Sequence, residues 1–411
     1  MDAGQTAQDV ARRSYGRLVA MLAARGTGLA AAEDALADAF AAALATWPAR
    51  GIPANPEAWL VTTARNRLAN TRRSRRVSEA ATGEILMRLG DAQAASDFPD
   101  ERLKLLFVCA HPDIDPSIRT PLMLQTVLGL DAARIASAFA VQPAAMGQRL
   151  VRAKARIGAS GLRFEVPDVA DLDLRVADVL EAIYGAYGTG WDAIAGADGD
   201  EKGLSGEAIY LGRLVAALLP DHPEPKGLLS LMLFCEARRP ARFDAAGAFV
   251  PLAAQDARRW TRDLIIEADA LLTLASKAGR FGRFQCEAAI QSVHVQRPIV
   301  GHLNHEAIGL LYRMLVAHAP TLGNRVGQAA ATLDAGDPAR ALDQLDAIES
   351  DGKERYQPYW VTRRACLEAL GRPDEAGQAL ERAIGLTEHP RLRAYLLASA
   401  RPTTEGVDRA G

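Results

Sequence analysis

The stretch from Asn55 to Arg76 (NPEAWLVTTARNRLANTRRSRR) has few folds open to it besides one amphipathic helix with a basic end. Asn55 is a good N-cap, Pro56 suits the first helical position where its missing N–H costs nothing, and Glu57 complements the positive helix end. At about 100° per residue, Leu60, Val61, Ala64 and Leu68 share one side and can face a core. Trp59, Thr63, Asn66, Asn70 and Arg73 share the opposite side. Six arginines (Arg65, Arg67, Arg72, Arg73, Arg75, Arg76) follow with no acidic residue between them. Such a face suits unpaired nucleotides: amides hydrogen-bond base edges, an aromatic stacks and arginines neutralise phosphates. A solvated basic helix end, complementing the negative terminus of the helix dipole, is the plainer alternative.

Upstream, Leu36, Phe40, Leu44 and Trp47 recur at i, i+4, i+8 and i+11, which predicts a buried stripe. Asp34 and Asp38, one turn apart on another face, form an acidic pair beside the basic helix. Phosphate is a poor partner for them, and a protein with basic residues is a better one. Trp47 continues the apolar stripe, yet its nearness to the amide face also makes it a candidate for stacking on a base, as Trp59 is.

A second pattern runs from Asp131 to Arg156. Asp131 can cap a short helix bearing Ile135 and the small Ala136, Val141 fills a turn, and Pro143 opens the next helix. Met146, Leu150 and Ala153 face inward, whereas Ala144, Ala145, Gln148, Arg149 and Arg152 face out. This is the helix-turn-helix pattern, whose second helix enters the major groove. Gln148 and Arg149 are placed for base edges, and Arg152, Lys154 and Arg156 for phosphates.

Charge agrees with this division. Residues 1–160 carry 20 Lys+Arg against 15 Asp+Glu, net +5, while the rest carries 28 against 35, net -7. A polyanion partner is therefore expected for the front only. Alanine-rich composition with 6% aromatic residues and few β-branched runs favours an all-α chain. Four scattered cysteines suggest reduced, buried thiols. No apolar run suggests a membrane span and the first residues lack signal-peptide character, so a cytoplasmic location without membrane association is expected. His302 and His305 lack a third metal ligand, Gly279 to Gln285 lacks the ending of a phosphate loop, and no nucleophile–base set is visible. No metal, cofactor or enzyme activity is expected.

Taken together, Glu33 to Phe40, Trp47-Pro48, Asn55 to Leu60, Ala64 to Arg67 and Gln148 to Lys154 resemble the two conserved domains of extracytoplasmic-function sigma factors. Phe107 to Pro112 and Arg239 to Arg242 further resemble the subgroup with a large helical C-terminal extension, although Ile183-Tyr184-Gly185-Ala186-Tyr187 departs from its pattern. The resemblance implies a subunit that binds core RNA polymerase and promoter DNA. Glu33, Asp34 and Asp38 would then dock on polymerase. Trp47, Trp59, Thr63, Arg65, Asn66, Arg67, Asn70, Arg72 and Arg73 would read the -10 element, with Ala144, Ala145, Gln148, Arg149, Arg152, Lys154 and Arg156 at the -35 element.

The expected organisation is a first helical domain over 8–76, an acidic linker over 77–100, a helix-turn-helix domain over 101–160 and a helical extension over 168–400. In the extension, Leu333 to Leu342 resembles Leu367 to Ala376 some 35 residues later, which suggests tetratricopeptide-like hairpins near 323–388, with ordinary helical hairpins as the equal alternative. Repeats of this kind provide an interaction surface, so a regulatory protein partner is expected there, with the extension tuning activity. Two other readings stand beside the sigma factor: an operator-binding regulator using the helix-turn-helix alone, and a helical-repeat scaffold.

Overall fold

A computed structural model describes residues 2–23, 29–79, 100–139, 141–159, 169–192, 201–350 and 352–400. The expected linker, apart from its ends, and the tail beyond residue 400 lie outside the described residues. Among the described residues the chain is all-α, with one isolated bridge between Phe243 and Phe249. It divides into two compact units, Met1–Leu218 and Leu219–Gly411.

The front unit begins with α1 (Ala3–Leu22), α2 (Leu29–Arg50) and α3 (Pro56–Glu79). Leu18, Val19 and Leu22 of α1 are buried, as are Leu36 and Trp47 of α2 and Leu60 and Ala64 of α3. The local signals act as their chemistry dictates. Asn55 Oδ1 accepts the Ala58 N–H at 3.0 Å to cap α3. Gly51, at φ +85°, ends α2 with its N–H on the Trp47 carbonyl. The stripe on α2 differs from expectation: Leu44 is 52% exposed, and Ala32, Ala39 and Ala43 fill the seam with Leu36 and Trp47. Steps of four drift about 40° per step around a helix, so two of them carried Leu44 out of the core.

Four further helices follow: α4 (Glu101–Cys109), α5 (Pro116–Thr126), α6 (Ala132–Ala138) and α7 (Pro143–Ala159). Asp100, Asp115 and Asp131 each accept a backbone N–H at the start of α4, α5 and α6. Ile135, Ala136, Met146 and Leu150 are buried where α6 meets α7. The extension then enters the same unit. Helices α8 (Val169–Asp192) and α9 (Glu201–Leu218) bury Val176, Val179, Leu180, Ile183, Leu211 and Val215. Arg175 of α8, itself buried, donates to the Phe107 carbonyl at 3.1 Å, satisfying one of the unpaired carbonyls in the last turn of α4. Arg119 of α5 pairs with Asp178 at 2.8 Å, and Arg102 pairs with Glu207. The front unit therefore reaches residue 218 and takes in the first two helices of the expected extension, because α4 and α5 present apolar and cationic surface that α8 and α9 cover.

The rear unit contains α10 (Pro223–Arg238), α11 (Arg262–Ser276), α12 (Arg283–Val300), α13 (His305–His318), α14 (Leu322–Asp334), α15 (Pro338–Asp346), α16 (Gln357–Ala369), α17 (Pro373–Gly385) and α18 (Pro390–Ser399). The hairpins α14–α15 and α16–α17 turn in the same way. Gly336 (φ +90°) and Gly371 (φ +68°) are left-handed, and the next residues, Asp337 and Arg372, donate to Thr332 and Leu367 five positions back. Only glycine takes such a backbone without steric cost, which explains the repeat seen in sequence. Val326, Leu345, Tyr359, Cys366 and Leu367 form a continuous core through both hairpins. At the far end, Phe243 stacks on His389 and Phe249 meets Tyr395 edge-on, so α18 packs against the turn that follows α10.

Candidate nucleic-acid interface

The two faces of α3 are separated by burial. Leu60, Val61 and Ala64 are buried and Leu68 half-buried, while Asn66 and Asn70 are exposed. Trp59, Thr63 and Arg65 are half-buried beside that open face. The Arg72 and Arg73 side chains lie outside the described residues. Trp47 requires a correction: it is only 3% exposed and touches Trp59 edge-on, with ring centroids 5.5 Å apart. It supports Trp59 from the core and has no face free for a base. A bulky aromatic continuing an apolar stripe gains more from burial than from exposure.

Arg67 is exposed, but its guanidinium meets Asp38 at 2.9 Å. The acidic pair of α2 and the basic run of α3 are thus partly each other's partner. At the start of α3, Glu57 accepts from the Ser14 hydroxyl and the Arg17 guanidinium of α1, so it ties two helices together as well as complementing the dipole. Next to it, Arg17, Asn55, Thr62 and Arg65 line a cleft of about 360 Å³ between α1 and α3.

On α7, Ala144, Ala145, Gln148, Arg149, Arg152 and Arg156 are exposed. Arg149, Arg152 and Arg156 border a cleft of about 460 Å³ whose other wall is Asp113, Asp115 and Ser117. Hydrogen bonds from Ser117 hold the Asp115 carboxyl below its ordinary range.

Lys154 is the second correction. Its ammonium lies 2.8 Å from both carboxylate oxygens of Glu33, and each side chain keeps less than a fifth of its surface. Two residues expected to serve different partners are joined to each other, because α7 packs on α2. Asp34 and Asp38 remain exposed. Below the pair, burial pushes the Cys109 thiol up to about 12, with the Glu33 charge adding to the rise and Lys154 opposing it. Tyr15 is pushed up to about 12, chiefly by burial and then by the charges of Glu33 and Asp34. Neither group ionises near neutrality.

A further contact was invisible in sequence. A Cβ on Gly16 of α1 would fall 1.8 Å from the Val127 carbonyl oxygen at the end of α5, so the first and second helical modules meet backbone to backbone. A small residue on a buried helix face was the only available signal. Among the described residues no cluster of three metal-ligating side chains occurs, and no helix is long and apolar enough to cross a membrane.

Residues 11–77, from within α1 to near the end of α3, match the sigma-70 region 2 family. Residues 175–276 match a family of unknown function, DUF6596, and this stretch spans the boundary between the two units. An uncharacterized protein from Rhizobium meliloti (strain 1021) is 37% identical over 373 residues, covering 89% of this chain and 88% of that protein. No solved structure matches.

Proposed function

We propose that this chain, which belongs to the same family as the Rhizobium meliloti protein and carries sigma-70 region 2 at its front, is a sigma factor of the extracytoplasmic-function class. It binds core RNA polymerase, places α3 against the melted -10 element and α7 against the -35 element, and carries an extension that tunes this activity. The observation that carries the proposal is the split of α3: its aliphatic side is buried while Asn66 and Asn70 stand in solvent, flanked by half-buried Trp59 and Thr63. Flipping a base out of the stack costs a few kcal/mol, which stacking and amide hydrogen bonds offset. Trp59, braced from behind by Trp47, is the aromatic with surface to offer. On α7, Gln148 and Arg149 are the exposed groups suited to base edges and Arg152 to a phosphate.

Asp34 and Asp38 are the exposed acids available to polymerase, Asp38 on exchanging its Arg67 partner. Glu33 reaches it only after leaving Lys154. The -10 and -35 surfaces belong to modules that touch through this pair and through Gly16, so promoter engagement is proposed to separate them.

Run-off transcription with purified core polymerase, followed by sequencing of the transcript starts, tests the assignment. Defined starts that depend on this chain are expected. Asn66→Ala and Asn70→Ala should relax selectivity at -10, and Arg149→Ala should weaken -35 recognition by about 1–3 kcal/mol if its contact is bidentate. Absence of core binding would overturn the sigma reading, and duplex binding without polymerase would favour the operator-binding regulator.

A further inference from the structure

The rear unit holds a polar cleft that the promoter-binding reading does not use. It measures about 400 Å³ and lies where α13, α14 and α15 converge. Arg313 of α13 and Arg340 of α15 reach it from different helices. Both are exposed, and neither guanidinium has an ion pair or hydrogen bond among the described residues. His305, also exposed, lies in the same wall. Gln344 lines the cleft as well, and its Oε1 is buried without a donor.

Two acids share the lining. The Asp337 carboxylate is already engaged, accepting the Arg340 backbone N–H at 3.1 Å as the cap of α15. Glu306 lies in the first turn of α13, where the helix dipole favours it. The two acids offset the two arginines, so the lining is formally balanced, but the donors of the two guanidiniums stay unengaged among the described residues. Single exposed arginines are ordinary; two converging on one concavity beside an orphaned amide oxygen are not.

We infer that this cleft binds an acidic peptide segment of a partner protein, an inference independent of the sigma-factor reading. A carboxylate answers both guanidiniums through charge-assisted hydrogen bonds, and a main-chain N–H answers Gln344 Oε1. The cleft is too small for a duplex and, His305 apart, offers no aromatic side chain on which a base would stack. General attraction of polyanions is not the source of the affinity, since residues 161–411 carry net -7. The selectivity is local and lies in the two arginines.

Fluorescence anisotropy of a fluorescein-labelled hexaglutamate peptide, titrated at low salt with the full chain, tests this. Saturable binding is expected, with hexaglutamine not binding. Arg313→Ala/Arg340→Ala together should weaken binding about tenfold or more at an unchanged melting temperature, since both side chains are exposed. Arg149→Ala/Arg152→Ala on α7 should leave binding as it was. The inference is overturned if the wild-type chain does not bind hexaglutamate, if hexaglutamine binds equally, if the Arg313/Arg340 variant binds like wild type, or if the α7 variant loses as much. It is overturned equally if a hexathymidylate oligonucleotide displaces the peptide and itself depends on Arg313 and Arg340, which would make the occupant a nucleic acid.

Discussion

The two units of this protein are held together by different means. In the rear unit the hairpins α14–α15 and α16–α17 share one unbroken apolar core, and glycine turns set each hairpin angle. In the front unit the modules α1–α3 and α4–α7 meet at a seam where α1 packs on α4 and α2 on α7. That seam also holds the half-buried Glu33–Lys154 pair and the close approach of Gly16 to Val127. Apolar cores are non-directional and cooperative, whereas a charged seam can be exchanged for other charges. Under the proposed sigma-factor reading, a chain that opens onto two separate DNA elements gains from the second kind of joint. A surface that must hold its shape gains from the first.

The largest expected effect lies in the rear. Leu345→Ala removes a fully buried side chain of the shared core and should destabilise that unit by about 2–5 kcal/mol. Urea unfolding should show both hairpins lost in one transition; separate melting of α14–α15 and α16–α17 would break the comparison.

Lys154→Met leaves Glu33 charged and half-buried without its partner, and should weaken the seam by about 2–3 kcal/mol, toward the lower range for broken buried pairs. Limited trypsin digestion should then cut faster between α3 and α4. The exchanged double variant Glu33→Lys/Lys154→Glu should restore the wild-type rate, and failure to do so would mean that the pair is not what holds the seam.

Gly16→Ala drives a methyl group into the Val127 carbonyl, so α1 and α5 must separate at a cost of about 1–3 kcal/mol. Hydrogen exchange should rise on both sides of that contact. Equal protection in the variant would show that the seam has slack.

Asp38→Asn breaks the exposed pair with Arg67 and should change stability by less than about 1 kcal/mol, because solvent screens both charges. Differential scanning calorimetry checks this. A large loss would show that exposed and half-buried pairs in the front unit are not distinct.

Much of the local architecture was legible in the residues. Asn55, Pro56, Asp131 and Pro143 open helices because capping and a fixed φ act within one turn. The amide face of α3 was legible for a similar reason, since one helical period decides which of its residues share a side. Leu44 left the expected stripe while Trp47 kept its place in it, because spacing defines a stripe while the neighbouring helix decides its width. That α8 and α9 join the front unit was not legible, because nothing near residue 160 shows that Arg175 and Asp178 find partners on α4 and α5.

The sequence by itself determined helix, turn and face, because those follow from contacts within a few residues along the chain. Tertiary structure alone decided which charges are spent inside the molecule. Glu33 meets Lys154 across 121 positions, and Arg67 meets Asp38 across 29. No local pattern encodes such pairs, since a carboxylate takes whichever cation the packing brings within reach. That choice separates the arginines and amides still open to a partner from those already answered.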